Sequence, residues 1–275
     1  MKPILFTFKQ FHIGGTAFGP IQIHSFSVML IIAFLAALWL ARRRAPRYGF
    51  EPGKISDASM IALFAGVIGA RIVFILQELP YYLKHKDQLF SLQFQGLTSF
   101  GGLLFGFAAY AIFAWRQKRA LREVLDVVAP SALVGHAIGR IGCLLNGCCY
   151  GVVTNSGFGV HIDDSSTLHV PAQLFDSVMT FAAVGILLWI ERRGLRKGQS
   201  FSLFLILYGV TRFIYEFWRA GTVEQVNSGF ASSTYWGSLP ITQAQAVAAL
   251  MILGGAVMYF VLQRGRVPQQ EIAAA

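Results

Sequence analysis

The residues of this chain best suited to chemistry lie between positions 134 and 151, where polar side chains interrupt an apolar stretch. The polar members of this segment are His136, Arg140, Cys143, Asn146, Cys148 and Cys149. His136 and Arg140 are one helical turn apart, and Cys143 follows on the same face. Arginine inside an apolar span is energetically costly and is usually present for a function. The segment therefore predicts a functional site in a membrane-spanning helix.

Glycines surround the arginine of this segment. Gly135, Gly139 and Gly142 are spaced to form a small-residue face, on which another helix or a ligand can approach closely. Gly151 closes the segment, which predicts that the helix ends near residue 147 and leads into a turn.

Two more arginines, Arg71 and Arg212, lie inside apolar spans. Counted from the basic ends of their helices, Arg71, Arg140 and Arg212 lie about 18–22 Å into a core of ~30 Å. Three cations at one depth repel one another unless an anion lies between them, and a phospholipid phosphate suits the arginine fork. The alternative is that carboxylates such as Glu78 and Glu216 neutralise the arginines.

The span that contains Arg212 has a polar stripe. Tyr208, Arg212, Glu216 and Arg219 recur at helical spacing and share one face of an otherwise apolar helix. Such a face must point into the helix bundle or a wet cavity. Ion pairing alone accounts for Glu216 and Arg219, so Tyr208 and Arg212 are the stronger functional candidates.

The three cysteines allow three interpretations. They are small buried apolar residues, or an oxidised pair on a disulfide-permissive side of the membrane, or metal ligands together with His161 and His169. The spacing matches no established zinc pattern, so the sequence predicts no metal site and no cofactor.

The composition indicates an all-α, polytopic membrane protein. Apolar residues make up 55% of the chain and charged residues only 13%. Runs of about 20 apolar residues are long enough to cross a bilayer as helices. The predicted spans are residues 23–41, 58–79, 97–115, 124–147, 171–191, 200–218 and 241–263, in one domain over residues 1–275.

The distribution of positive charge predicts the topology. Fifteen Lys and Arg residues fall in the loops and tail on one side of the predicted spans, and five fall on the other. The positive-inside rule then places the N-terminus outside and the C-terminus in the cytoplasm. Because the basic residues cluster in short loops, the net charge of +10 indicates membrane topology rather than nucleic-acid binding.

Several segments resemble the prolipoprotein diacylglyceryl transferase family of bacterial inner-membrane enzymes. The signature of that family is similar to GRIGCLLNGCCYG at residues 139–151. Other similar segments are FGPIQIH at 18–24, GAR at 69–71, PAQLFD at 171–176 and LYGVTRFIYEFWR at 207–219. The resemblance covers most of the chain and agrees with the seven spans and the outside N-terminus.

The resemblance implies transfer of a diacylglyceryl group from phosphatidylglycerol to the cysteine thiol of a lipobox-containing prolipoprotein, releasing glycerol 1-phosphate. It implies that Arg140, Arg212 and Arg71 bind the phosphate. The thiol needs a base, since the thiolate is the nucleophile. His136, His24 and Tyr208 are the candidates, and His136 is favoured because it neighbours Arg140. Asn146, Gly151, Cys143, Cys148 and Glu216 are expected to shape the site.

The chain departs from the family pattern at four positions. Cys143 and Cys148 stand where the signature has Asn and Glu, Phe26 replaces a Tyr, and Phe100 replaces a His before a Gly-Gly pair. These changes leave alternatives open: a glycerolipid transferase with another acceptor, or a non-catalytic lipid-binding membrane protein. A thiol-redox or metal protein built on the cysteines is a third.

Overall fold

The computed structural model describes residues 3–8, 11–13, 16–18, 21–85, 98–161, 167–219 and 241–264. Its helices are α1 (Ser25–Arg44), α2 (Pro52–Gln77), α3 (Leu79–Lys84), α4 (Ser99–Arg116), α5 (Leu121–Asn146), α6 (Ala172–Glu191), α7 (Gln199–Glu216) and α8 (Gln243–Arg264). Its strands are β1 (Ile4–Phe8), β2 (Phe11–Ile13), β3 (Thr16–Phe18), β4 (Ile21–His24), β5 (Val160–His161) and β6 (Leu168–His169). A short 3₁₀ helix covers Ala45–Tyr48.

The predicted spans match seven of these helices, with boundaries that differ by a few residues. The largest difference is at α2, which begins at Pro52 rather than at residue 58, since proline is well suited to the first helical turn. The segments 80–96 and 220–240 between predicted spans lie largely outside the described residues, as does the C-terminal tail.

The chain divides into two compact units, residues 38–127 and the remainder. In the unit of residues 38–127, α2 packs against α4 through glycines. A Cβ at Gly101 would lie 2.5 Å from the Gly69 carbonyl oxygen, and one at Gly66 would lie 3.3 Å from the Gly102 oxygen. The small residues that the sequence places in α4 therefore allow close backbone contact.

In the other unit, α5, α6 and α7 share an apolar core. Leu133 of α5 and Leu187 of α6 are fully buried, and Phe204 and Leu207 of α7 pack against them. The predicted glycine face of α5 receives α1: a Cβ at Gly135 would lie 3.6 Å from that of Ala37, and one at Gly142 would lie 3.0 Å from that of Met29. This packing fixes the rotation of α5 and thereby the direction of its polar residues.

Short antiparallel strand pairs accompany the helices. β1 pairs with β4, β2 with β3, and β5 with β6. These strands are two to five residues long and were not predicted from the sequence. β5 and β6 lie in the segment between α5 and α6, where Gly151 also forms an isolated bridge to Arg219.

Five helices in the described part of the chain are long and apolar enough to cross a membrane, namely α1, α2, α5, α6 and α8. The 22 residues of α8 span about 33 Å, which is enough for a ~30 Å hydrocarbon core. Leu250, Leu253, Val257 and Phe260 on α8 are each at least 60% exposed, as expected for side chains that face lipid. The protein is a polytopic helical membrane protein.

Candidate active site

A buried carboxylate, Asp176 near the start of α6, joins the two principal polar residues of α5. Its Oδ2 accepts a hydrogen bond from Arg140 Nε at 2.6 Å and lies 3.2 Å from His136 Nε2. Thr180 contacts the other oxygen at 3.4 Å. Arg140 Nε also points at His136 Nε2, at 3.5 Å. Because a carboxylate only accepts hydrogen bonds, the shorter contact with Asp176 favours a proton on Nε2, with Nδ1 as the basic nitrogen of His136.

A second ion-pair cluster lies at the end of α7. Arg212 Nη2 is 2.9 Å from Glu216 Oε2, and Arg219 Nη1 is 3.6 Å from the same oxygen. Glu216 is nearly fully buried, whereas Arg219 is partly exposed. Three residues of the predicted stripe, Arg212, Glu216 and Arg219, are thus in contact, although α7 ends at Glu216 and Arg219 follows it.

Tyr215 links the two clusters. The guanidinium carbon of Arg140 lies 4.7 Å from the centre of its ring, and that of Arg212 lies 5.0 Å from the same ring. Such cation–π contacts hold guanidinium groups without consuming their N–H donors. The ring therefore brings two cations together and leaves donors available.

Two buried polar atoms here have no hydrogen-bond partner among the described residues, Arg212 Nη1 and Gln173 Oε1. An unpaired buried donor on a cation is costly, which indicates that an anion completes the site. Beside Arg140, a Cβ added at Gly139 would meet no atom of the described residues within 4 Å, so among them the helix surface is open there. Three arginines and two carboxylates leave this region one positive charge in excess.

Tyr208 adjoins the first cluster. Its ring meets His136 edge to face at 5.3 Å and stacks on Phe204 at 5.9 Å. The contact brings together two of the three candidate bases, His136 and Tyr208.

The turn after α5 is held by the neighbouring helices. Gln173 Nε2 donates to the Cys148 carbonyl at 2.7 Å, and the Tyr215 hydroxyl donates to that of Cys149 at 3.2 Å. A Cβ at Gly151 would lie 2.5 Å from the Trp218 carbonyl oxygen, so only glycine fits there. Asn146 is the last residue of α5 and its side chain hydrogen-bonds to Cys148.

Cys143 near the end of α5 and Cys148 and Cys149 in the turn are free thiols. The Cys148 thiol donates to the Cys143 carbonyl at 3.7 Å. The neighbouring Cys143 and Cys148 thiols and the positive charges of Arg140 and Arg219 lower the pKa of the Cys149 thiol below its usual value. His169 does not join them: its Nδ1 contacts the Gly151 carbonyl at 3.1 Å, and its Nε2 contacts Thr167.

The other residues singled out from the sequence are Arg71, Phe100, His24 and Phe26. Arg71 belongs to the unit of residues 38–127, where its guanidinium faces the ring of Tyr82 at 5.6 Å. Phe100 is in the same unit and is exposed. His24 ends β4 with an exposed side chain, and Phe26 lies near Gly142 in the packing of α1 on α5.

Three residues of the site were not among those predicted, Asp176, Gln173 and Tyr215. Asp176 and Gln173 lie in the PAQLFD segment. The resemblance of this segment to the family could have pointed to both residues. Tyr215 gave no signal of its own, because a tyrosine in an aromatic-rich helix is ordinary. Arg140 does have a carboxylate partner, as the alternative to phosphate binding required. That partner, Asp176, lies on another helix, so helical spacing could not predict the pair.

Comparison with known proteins identifies the family of this chain. The family model described as prolipoprotein diacylglyceryl transferase matches residues 15–261. A phosphatidylglycerol–prolipoprotein diacylglyceryl transferase of Clostridium tetani is 30% identical over 224 residues, which is 80% of this chain and 86% of the relative. A protein of the same name from Shewanella sp. (strain ANA-3) is 30% identical over 268 residues, or 96% of each chain. A third, from Clostridium perfringens, is 27% identical over 89% of this chain and 93% of its own length. The chain therefore belongs to the prolipoprotein diacylglyceryl transferase family.

Proposed function

We propose that this protein transfers the diacylglyceryl group of phosphatidylglycerol to the cysteine thiol of a lipobox-containing prolipoprotein. Family membership and the names of its relatives support the reaction. The single observation that carries the proposal is the pair of guanidinium groups on Tyr215, with a buried donor of Arg212 still unpartnered among the described residues.

The phosphate of the lipid binds between Arg140 and Arg212. Each arginine uses one edge for a carboxylate, Arg140 through Nε and Arg212 through Nη2. The other donors remain for the phosphate, and the single excess positive charge of the cluster matches a phosphodiester. Arg71 stays a further candidate for phosphate binding because of its depth in its span.

The reaction is a displacement at carbon. The acceptor thiolate attacks the glyceryl carbon that bears the phosphate, the carbon–oxygen bond breaks, and glycerol 1-phosphate leaves with the electron pair. The phosphate gains charge as it leaves, and two fixed guanidinium groups stabilise that charge. The product is a thioether on the acceptor.

His136 is the base that takes the thiol proton. Asp176 fixes the ring through Nε2 and stabilises the imidazolium that forms, which leaves Nδ1 as the acceptor. Tyr208 packs against the ring and orients it. His24 is the second candidate base, while Asn146, Gly151, Cys143, Cys148 and Glu216 shape the site.

The proposed topology has seven spans in a single domain, an external N-terminus and a cytoplasmic C-terminus, in the bacterial cytoplasmic membrane. Besides the five long helices, α4 and α7 have 18 residues each, or about 27 Å, close to the thickness of the hydrocarbon core. The fifteen basic residues on one side support this orientation.

The test is a transfer assay with purified protein, labelled phosphatidylglycerol and a peptide with a lipobox cysteine. We expect Arg140→Ala to lower transfer at least about 100-fold, as for loss of one donor to a developing oxyanion. Arg122→Ala is the matched control, because Arg122 is exposed on the same helix.

Two results would contradict this function. Equal activity of both variants would place the phosphate elsewhere. Lipid binding that depends on Arg140, without transfer to any cysteine peptide, would favour the alternatives, a transferase with another acceptor or a lipid-binding protein.

A further inference from the structure

The three cysteines form a compact triangle of sulfur atoms. The Sγ atoms of Cys143, Cys148 and Cys149 all lie within 4.8 Å of one another. The sequence predicted no metal site, because the spacing with His161 and His169 fits no zinc pattern. Among the described residues, the structure groups the three cysteines without those histidines.

An unusual turn creates this triangle. After α5 ends at Asn146, Gly147 adopts φ +72° and Cys149 adopts φ +62°. The left-handed conformation is rare for a residue with a side chain and is sustained only where the surroundings enforce it. The Cys148 amide donates to the Cys143 carbonyl at 3.1 Å, which folds the turn back onto the helix.

Hydrogen bonds from the neighbouring helices hold this turn in place. Gln173 of α6 and Tyr215 of α7 each donate to one carbonyl of the turn, at 2.7 and 3.2 Å. The Gly151 amide donates to Val170 at 2.8 Å. The sulfur atoms are therefore held before any ligand binds, which lowers the entropy cost of coordination.

The size of the triangle fits a thiolate-bound metal ion. In a tetrahedral zinc site with Zn–S bonds of about 2.3 Å, neighbouring sulfurs lie about 3.8 Å apart. A disulfide would use only two of the three thiols. The adjacent Cys148 and Cys149 suit one poorly, since neighbouring Cα atoms are about 3.8 Å apart and disulfides usually need about 4.4–6.8 Å.

We propose that Cys143, Cys148 and Cys149 bind one Zn²⁺ ion and leave its fourth position open for the cysteine thiol of the acceptor protein. Zinc sites with three protein ligands and one open position are typical of catalysis rather than of structure. Cys149 is exposed, so the cluster is accessible from outside the helix bundle. This inference rests on the proposed function, because it names the part of the site that activates the acceptor.

The chemistry balances without a redox partner. Coordination to zinc deprotonates the acceptor thiol, and its proton passes to His136. The thiolate sulfur then forms a bond to the glyceryl carbon while the carbon–oxygen bond to phosphate breaks. The neutral thioether is a weaker ligand than the thiolate, so the product leaves the zinc.

Two arginines offset part of the charge of such a site. Three thiolates and one Zn²⁺ carry a net charge of −1, and the acceptor thiolate adds a second negative charge. Arg140, one turn before Cys143, and Arg219 both act electrostatically on Cys149. The same Arg140 would bind the lipid phosphate, so the thiolate and the carbon it attacks are brought to one place.

The test begins with metal binding, which is independent of activity. We expect the purified, reduced protein to bind one Zn²⁺ per chain in competition with a chromophoric chelator, and Co²⁺ to give thiolate-to-metal charge-transfer absorption. Cys149→Ser should weaken Zn²⁺ binding at least about 10-fold. Ser156→Ala, in the exposed turn that follows, is the control and should bind as the unmodified protein does.

The acceptor is tested on the Co²⁺-loaded protein. A lipobox peptide with cysteine should shift the charge-transfer band, whereas the same peptide with serine should not. No stoichiometric Zn²⁺ binding, or thiols that resist alkylation until a reductant is added, would overturn the inference. So would transfer activity that survives both chelation and Cys149→Ser, although the proposed function would then stand. Zinc binding with a cysteine-dependent shift but no lipid transfer would instead overturn the proposed function and keep the metal site.

Discussion

At the scale of single residues, Asp176 organises the site because it contacts both the phosphate-binding arginine and the base. We expect Asp176→Asn to lower kcat by about 10²-fold or more, since the imidazolium of His136 loses its counter-charge. Binding of phosphatidylglycerol should not weaken, because removing a carboxylate adds one net positive charge beside the lipid phosphate. Transfer kinetics and lipid titration on the same preparation measure the two effects separately.

The conservative variant Asp176→Glu should recover part of kcat, and Thr180→Val should have a small effect, since its contact with Asp176 is 3.4 Å long. A parallel loss of lipid binding and of kcat in Asp176→Asn would mean that this carboxylate only maintains the fold.

The residues of the site differ in how far the sequence could predict them. Helical spacing was sufficient to predict which residues of one helix are neighbours, such as His136 with Arg140 and Arg212 with Glu216. It could not predict the bond from Arg140 to Asp176, which depends on how α5 meets α6. The sequence could not predict the sulfur triangle either, because hydrogen bonds from other helices set the left-handed conformation of Cys149.

At the scale of elements, two adjacent glycines of α8 differ in whether they pack closely against α7. A Cβ at Gly255 would lie 2.7 Å from the Ser202 carbonyl oxygen on α7, whereas one at Gly254 would have no neighbour within 4 Å in the described part of the chain. We expect Gly255→Ala to destabilise the protein by about 1–3 kcal/mol, because a backbone atom cannot yield as a side chain does. Gly254→Ala should be neutral or slightly stabilising, since alanine favours the helix.

Thermal unfolding in detergent compares these two adjacent variants directly. Since α7 also carries Tyr208 and Arg212, Gly255→Ala should lower transfer activity as well, while Gly254→Ala should not. Equal melting temperatures for both variants would contradict the close contact of α7 with α8. The sequence alone does not distinguish the two glycines, because both lie in an apolar helix and only the rotation of α8 decides which one faces α7.

At the scale of the whole molecule, the distribution of charge predicts which side of the membrane each loop faces. The segment between α5 and α6 is nearly free of basic residues, whereas the loop between α6 and α7 contains Arg192, Arg193, Arg196 and Lys197. The positive-inside rule places the first outside and the second in the cytoplasm. The cysteine turn and the polar end of α7 then lie at the outer side, where a prolipoprotein would present its cysteine.

Two engineered thiols test this orientation in a variant with all three native cysteines replaced by Ser. Ser156→Cys lies in the segment after α5 and Lys197→Cys in the basic loop after α6, and both positions are exposed. A membrane-impermeant maleimide added to intact spheroplasts should label the first and not the second, because only α6 separates them along the chain. After the membranes are broken, both should be labelled equally. The reverse pattern in intact spheroplasts would invert the topology, and labelling of both would mean that α6 does not cross the membrane.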